Sequence, residues 1–408
     1  MRRTPRMVFG MVCLAVAPAL AGAAPAKGSM TIKPYLKGLI SMGDAHCIAQ
    51  GSNECQPDNS MSDAFGEPGI LQGYVINVTW AQLQPASSTA IDPGAIDRAL
   101  AALRRYNADH TATPMRALLR VEAGSVAPDW AKALAGGPVT IYLRVTLREA
   151  QIGRFWTEAY RGAWRGLQDK LAARYDANKL IAEVSDTSCS HESDEPYVNP
   201  LDSDSIRNLY AAGYSNQAFV ACLRGSIHDY DAWATTPVDF PTSNFEDLTD
   251  AEVDGERDVH YGPHDMAVTR SIMREFRAAL GPRAILANHN LNDPLGWSVR
   301  PIYDVIAELG KPVELQTVVP GARHADGTRT GKLRNWAGTI ALGLRHGASA
   351  VEVWRSRTNR AGQPIQDGWN AIRCAASAPN GACDGQDPAM LKRWSRALIA
   401  AAPDQTKP

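Results

Sequence analysis

The stretch that decides the fold is Leu180-Ile181-Ala182-Glu183-Val184-Ser185, continued by Asp186-Thr187-Ser188-Cys189-Ser190-His191-Glu192-Ser193-Asp194-Glu195-Pro196-Tyr197. A short apolar, β-compatible run gives way to a polar loop rich in carboxylates, as where a buried strand hands over to a functional loop. Working outward, comparable runs are read as strands at 35–41, 73–80, 115–121, 237–240, 284–288, 312–317 and 348–354. Helical patterns at 93–107, 147–175, 205–230, 263–280, 302–309, 332–345 and 388–401 lie between and after them. In the second of these, Phe155, Trp156, Tyr160, Trp164, Leu167 and Leu171 recur at helical spacing, which reads as core packing. Strand and helix alternate without hairpin spacing, the pattern of parallel strands joined by crossover helices. The expected fold is α/β, a single (β/α)8 TIM barrel over residues 30–404. A doubly wound open sheet is the rival, but no G-x-G-x-x-G turn follows an early strand.

Composition sets bounds on partners. The chain has 408 residues, 45% hydrophobic, with 42 Lys and Arg against 43 Asp and Glu. Balanced charge gives no field to attract nucleic acid or an anionic membrane, so a neutral substrate is expected. Arg2, Arg3 and Arg6 precede an apolar run from Met7 to Leu20 and then Ala21-Gly22-Ala23. This reads as a signal peptide over 1–23, and an exported mature chain with no membrane attachment after cleavage, periplasmic or extracellular. Cleavage would remove Cys13 and leave six of the seven cysteines: Cys47, Cys55, Cys189, Cys222, Cys374 and Cys383. An even count in an exported chain suggests disulfides, and the economical pairing is Cys47 with Cys55, Cys374 with Cys383, and Cys189 with Cys222. No C-x-x-C pair supports a zinc site. Sequence leaves the connectivity and the oligomeric state open.

In a barrel, the polar residues just beyond each strand are pooled at one face. Pooling gives Asp44, His46, Asn77, Trp80, Arg120, Glu122, Glu192, Asp194, Glu195, Asn244, Glu246, Asn288, His289, Glu314, Gln316, Glu352 and Trp354. No G-x-S-x-G elbow or H-E-x-x-H pair is present. Carboxylates with amides and indoles suit hydrolysis of a sugar bond: one acid protonates the glycosidic oxygen, a second carboxylate attacks or activates water, and indole faces hold the ring.

Five segments carry a family resemblance: Asp194-Glu195-Pro196, Glu314-Leu315-Gln316, Trp354, Asn77 through Pro85, and Ala123-Gly124 with Ala127-Pro128-Asp129-Trp130. Together they resemble the (β/α)8 retaining glycoside hydrolases of clan A, in particular the β-galactosidase-like branch. The resemblance implies Glu195 as acid/base after the fourth strand and Glu314 as nucleophile at the seventh, about 5–5.5 Å apart at the barrel mouth. It implies a carbohydrate substrate, with Asn77, Trp80, Gln316 and Trp354 in the matching segments; Asn288 and His289, pooled at the end of the sixth strand, are read as further substrate residues, and no cofactor or metal is expected. Two departures stand out. Asp194 replaces the family's usual Asn, and Glu314 lies two residues early in its strand, which places it deeper.

Plainer readings stand beside these. Glu195 could be a solvated loop acid, Glu314 half of a structural ion pair, Trp354 core, and Glu352 a partner of Arg120 or Arg355. His260, His264 and Asp265 stand where a helix begins, so capping is preferred to a metal. At the level of function, the rival is a barrel that has lost catalysis and only binds carbohydrate or a protein partner.

Overall fold

The computed structural model describes residues 31–42, 68–144, 148–192, 194–198, 202–248, 261–318, 336–353 and 388–403. The segment 1–23 expected to be a signal peptide, and Cys47, Cys55, Cys374, Cys383 and Trp354, lie outside them. Eight parallel strands close into a barrel: β1 (Gly38–Ser41), β2 (Leu71–Thr79), β3 (Arg116–Glu122), β4 (Ile181–Ser185), β5 (Val238–Pro241), β6 (Ala284–Leu291), β7 (Val313–Thr317) and β8 (Ala350–Val353). The order around the barrel is that of the sequence, and β1 closes on β8 through Gly38↔Ala350 and Ser41↔Val353. The single (β/α)8 barrel read from the alternation is therefore the fold.

Around it lie α1 (Gly94–Asp109), α2 (Glu158–Tyr175), α3 (Ser203–Ala211), α4 (Asn216–Asp229), α5 (Met266–Leu280), α6 (Arg300–Leu309), α7 (Trp336–Arg345) and α8 (Pro388–Ala401). Asp202, Ser215 and Asp265 cap α3, α4 and α5 by accepting from backbone N–H groups of the first turn. Asp265 thus has the capping role expected of it. Among the described residues no helix is long and apolar enough to cross a membrane.

Three boundaries differ from the reading. The helix expected at 147–175 begins only at Glu158, because 139–143 and 148–152 form an antiparallel hairpin whose Val139, Ile141, Leu143 and Ile152 alternate into the core. The 205–230 pattern is two helices, broken by Gly213 at φ +88°. Pro263 belongs to a short strand, Tyr261–His264, paired with Glu246–Leu248, so the helix begins at Met266.

The aromatic stripe of α2 packs as core. Trp80 is wholly buried and meets Trp130, Tyr160 and Trp164 edge-on at 5.6, 5.2 and 5.1 Å. Such pairs add roughly 0.5–1.5 kcal/mol each beyond their area. Its indole N–H donates to Gln84 Oε1 at 2.8 Å. Leu36, Ile40, Val75, Leu118 and Ala350 form a second, small apolar cluster. Ala182 belongs to the same cluster.

Candidate active site

Each strand places alternate residues inside the barrel, and from β3, β4, β5, β7 and β8 several of these are charged. Arg120 of β3 reaches Glu352 of β8, with Nη2 to Oε1 at 2.6 Å and Nη1 to Oε2 at 3.1 Å. These strands are not neighbours, so the two side chains meet through the barrel lumen. Arg120 Nη1 also lies 3.1 Å from Asp194 Oδ2, and Gln316 Nε2 donates to Glu352 Oε2 at 3.0 Å. The structural pairing expected of Glu352 is thus with Arg120. Burial would push the carboxyls of Asp194 and Glu352 up, but His289 and Arg120 outweigh it, and both are held below the usual carboxylate range.

The loop after β4 carries Asp194 and Glu195 and is fastened at many points. Asp186 accepts from Ser188 Oγ and Ser226 Oγ, both at 2.8 Å. Tyr230 Oη donates to the Ser185 carbonyl at 2.9 Å, and His191 Nδ1 lies 2.6 Å from the Tyr197 carbonyl. The Cys189–Cys222 disulfide ties the loop to α4, the pairing expected for these two. On its other side, Ser125 N–H donates to the His191 carbonyl at 2.9 Å. Gly124, at φ +57°, faces His191 so closely that a Cβ would collide with its backbone. A loop so tied presents its acids in fixed positions, as catalysis requires.

Glu195 is half-exposed at the C-terminal mouth. Asn290 Nδ2 lies 3.5 Å from its Oε1, and the His289 backbone N–H also donates to it. Desolvation raises its pKa to about 7, against the pull of His289. The adjacent carboxyls of Asp194 and Glu195 are therefore driven to opposite sides of the usual range, one ionised and one ready to hold a proton. His289 is buried, with Nδ1 3.3 Å from Asp194 Oδ2; burial lowers its pKa, but Asp194 dominates and lifts it to about 9.

Glu314 is elsewhere. It pairs in register with Ala287 of β6 and Ala350 of β8, whereas Glu195 is held at His289 and Asn290, two to three residues further along β6. At ~3.3 Å per residue that is about 7–10 Å nearer the mouth. Glu314 is 2% exposed, and burial, followed by Glu183, Glu352 and Asp239, raises its carboxyl well above the usual range. The two-residue offset noted in the sequence has its physical meaning here: the side chain points into the barrel stem, among other acids, and does not face Glu195.

The remaining expected substrate residues divide. Trp80 is not at the mouth, because the capping box of Thr79 and Gln82 starts a short helix that turns its indole into the shell beneath α2. Asn288 is spent on backbone, donating to the Thr242 carbonyl at 2.9 Å and accepting from Asn290 N–H at 2.9 Å. Asn77 donates to the Met42 carbonyl at 2.8 Å and is 1% exposed. Gln316 serves Glu352. His289 alone of these borders Glu195. Asp239 and Glu183 were not singled out by sequence, although a carboxylate inside an apolar run, as in Val238-Asp239-Phe240, was the available signal. Glu183 accepts from the Leu36 backbone N–H, and Asp239 from Ser185 Oγ at 2.9 Å. Burial raises both to about 7. Asp239, His289 and Glu352 are also the described residues able to offer three donor atoms to one metal ion.

No family model matches the chain, and no curated protein matches it in sequence. Its fold recurs among solved structures. The β-galactosidase of Bacillus circulans sp. alkalophilus superposes with a TM-score of 0.52 at 11% identity, over 90% of this chain and 57% of that one. The cold-adapted β-galactosidase of Rahnella sp. R3 gives 0.50 at 12%, over 91% and 58%. An endo-β-1,4-glucanase of Xanthomonas axonopodis pv. citri, carrying three substitutions, gives 0.47 at 11%, over 88% and 99%. The chain spans under three fifths of the length of the two β-galactosidases. Its structural neighbours are thus (β/α)8 glycoside hydrolases, as the sequence resemblance implied, and at these identities the likeness is one of fold.

Proposed function

We propose that the chain is a glycoside hydrolase that cleaves O-glycosidic bonds of a carbohydrate substrate, with Glu195 as the proton donor. The observation that carries this reading is the placement of Glu195: a half-exposed carboxyl at the barrel mouth, on a fastened loop, beside the ionised Asp194. Proton donation to a leaving oxygen requires a carboxyl that holds its proton near neutrality, and the setting of Glu195 supplies one. Retention is the proposed course, after the clan the sequence resembles. It needs an ionised carboxylate facing the anomeric carbon. Glu314 was the sequence candidate, but it lies deep in the stem, two to three residues below the level of Glu195, among Glu183, Glu352 and Asp239. We assign that role to Asp194, whose carboxyl His289 and Arg120 hold below the usual range beside Glu195. Export through the N-terminal segment belongs to the same proposal, and the Cys189–Cys222 bond supports an oxidising compartment.

Turnover of an aryl-glycoside panel by wild type, Glu195→Gln, Asp194→Asn and Glu314→Gln tests the assignment. The first two should lose about 10²–10⁴-fold, with Glu314→Gln close to wild type. NMR of the first-formed anomer reads the stereochemistry. Equal turnover by all four proteins refutes the catalytic assignment. A carbohydrate-binding barrel without catalysis is favoured by one observation, the ion pairs that already engage Asp194. It predicts sugar binding with no turnover in any of the four.

A further inference from the structure

Beneath the mouth, Asp239 of β5, His289 of β6 and Glu352 of β8 each place a donor atom within 4.8 Å of the other two. All three are more than nine-tenths buried, at 0%, 8% and 0% exposure. What separates them from a chance grouping of acids is how their other atoms are used. Asp239 accepts from Ser185 through Oδ2 at 2.9 Å, and its Oδ1 is buried without a hydrogen-bond partner. His289 turns Nδ1 to Asp194 at 3.3 Å, and its Nε2 is likewise buried without one. Glu352 is oriented by Arg120, which donates to both of its oxygens, and by Gln316, which donates to Oε2. Side chains fixed by partners at one atom while Asp239 Oδ1 and His289 Nε2 stay buried and unpaired are what a metal centre presents before it is filled. Asp239 and Glu352 supply the two carboxylates, and Arg120 is shared between Glu352 and Asp194.

We infer that Asp239, His289 and Glu352 form a binding site for one divalent metal ion inside the barrel. One imidazole with two carboxylates suits Zn²⁺ or Mn²⁺, and disfavours Ca²⁺, which takes oxygen donors only. The site does not depend on the glycosidase reading, and its test does not use turnover.

The whole chain, stripped with EDTA and dialysed, is titrated by calorimetry with Zn²⁺ and separately with Mn²⁺, and its thermal unfolding is followed with and without each ion. About one equivalent should bind to wild type and raise the unfolding midpoint. Asp239→Asn and His289→Gln should each bind at least ~100-fold more weakly, given that loss of a mere outer partner already costs 10–100-fold. Absence of saturable binding by wild type overturns the site. So does wild-type affinity in either folded variant. Should both variants fail to fold, Co²⁺ on wild type decides: visible bands of a bound nitrogen–oxygen site support it, and the spectrum of the aqueous ion overturns it.

Discussion

Arg120→Met removes the cation that joins the mouth to the stem. The guanidinium is wholly buried, 3.1 Å from Asp194 and 2.6 and 3.1 Å from the two oxygens of Glu352. Breaking one buried pair by deleting a partner costs roughly 3–5 kcal/mol, since a charge is left uncompensated. Here two carboxylates lose their cation, but His289 still faces Asp194 and Gln316 still donates to Glu352, so the single-pair figure is the appropriate scale. The pH dependence has a definite sign. Both folded carboxyls lie below their unfolded values, so their contribution is present above the ordinary carboxylate range and is lost as pH falls through the folded values. Without Arg120 that contribution goes, and protonation relieves the orphaned acids. Urea unfolding of EDTA-stripped wild type and variant should therefore show a loss of about 3–5 kcal/mol at pH 8 that shrinks toward pH 4.5. Arg120→Lys, which keeps charge but not the fork, should fall between. A loss below about 1 kcal/mol at both pH values, the range of a surface pair, would refute the reasoning.

Other perturbations test other joints. Cysteines 189 and 222 are 33 residues apart, and a loop of that length gives about 3.7 kcal/mol on the chain-entropy relation; the Cys189→Ala, Cys222→Ala double variant should lose a comparable amount in denaturant melts, and an unchanged midpoint would count against a bond in solution. Gly124→Ala should destabilise by roughly 2 kcal/mol or more, because it meets a positive φ and the His191 backbone at once; stability within about 0.5 kcal/mol of wild type would show that the two loops are not in contact. Burial raises Asp229 to about 6, against Arg161 and Arg165. Its protonated form favours the fold, so this contribution is full below the unfolded value and is lost as pH rises through about 6. Asp229→Asn should accordingly gain stability relative to wild type between pH 4 and pH 7, and a pH-independent difference would sink the assignment.

The barrel was legible because its signal is periodic and repeated: eight apolar runs separated by helical patterns admit few topologies. The place of Glu195 beyond β4 was legible because a loop acid before proline, after a buried strand, stands apart locally. Glu314 misled because local pattern reports that a carboxylate is buried in a strand, not at which height of the barrel it sits; register with β6 and β8 decides that. Trp80 misled for a related reason, since the Thr79–Gln82 capping box turns the chain one residue before the indole. The Arg120–Glu352 pair and the Asp239, His289, Glu352 group are non-local, and only closure of the barrel brings them together.

That closure has a consequence for biosynthesis. Glu352 follows Arg120 by 232 residues and β1 pairs with β8, so a growing chain lacks both the edge partner of its first strand and the bidentate partner of its central arginine until the last strand is made. Partial barrels would keep a charged, unpaired lumen that resists collapse. Such late, all-at-once assembly delays closure of the barrel until its C-terminal strand has been made.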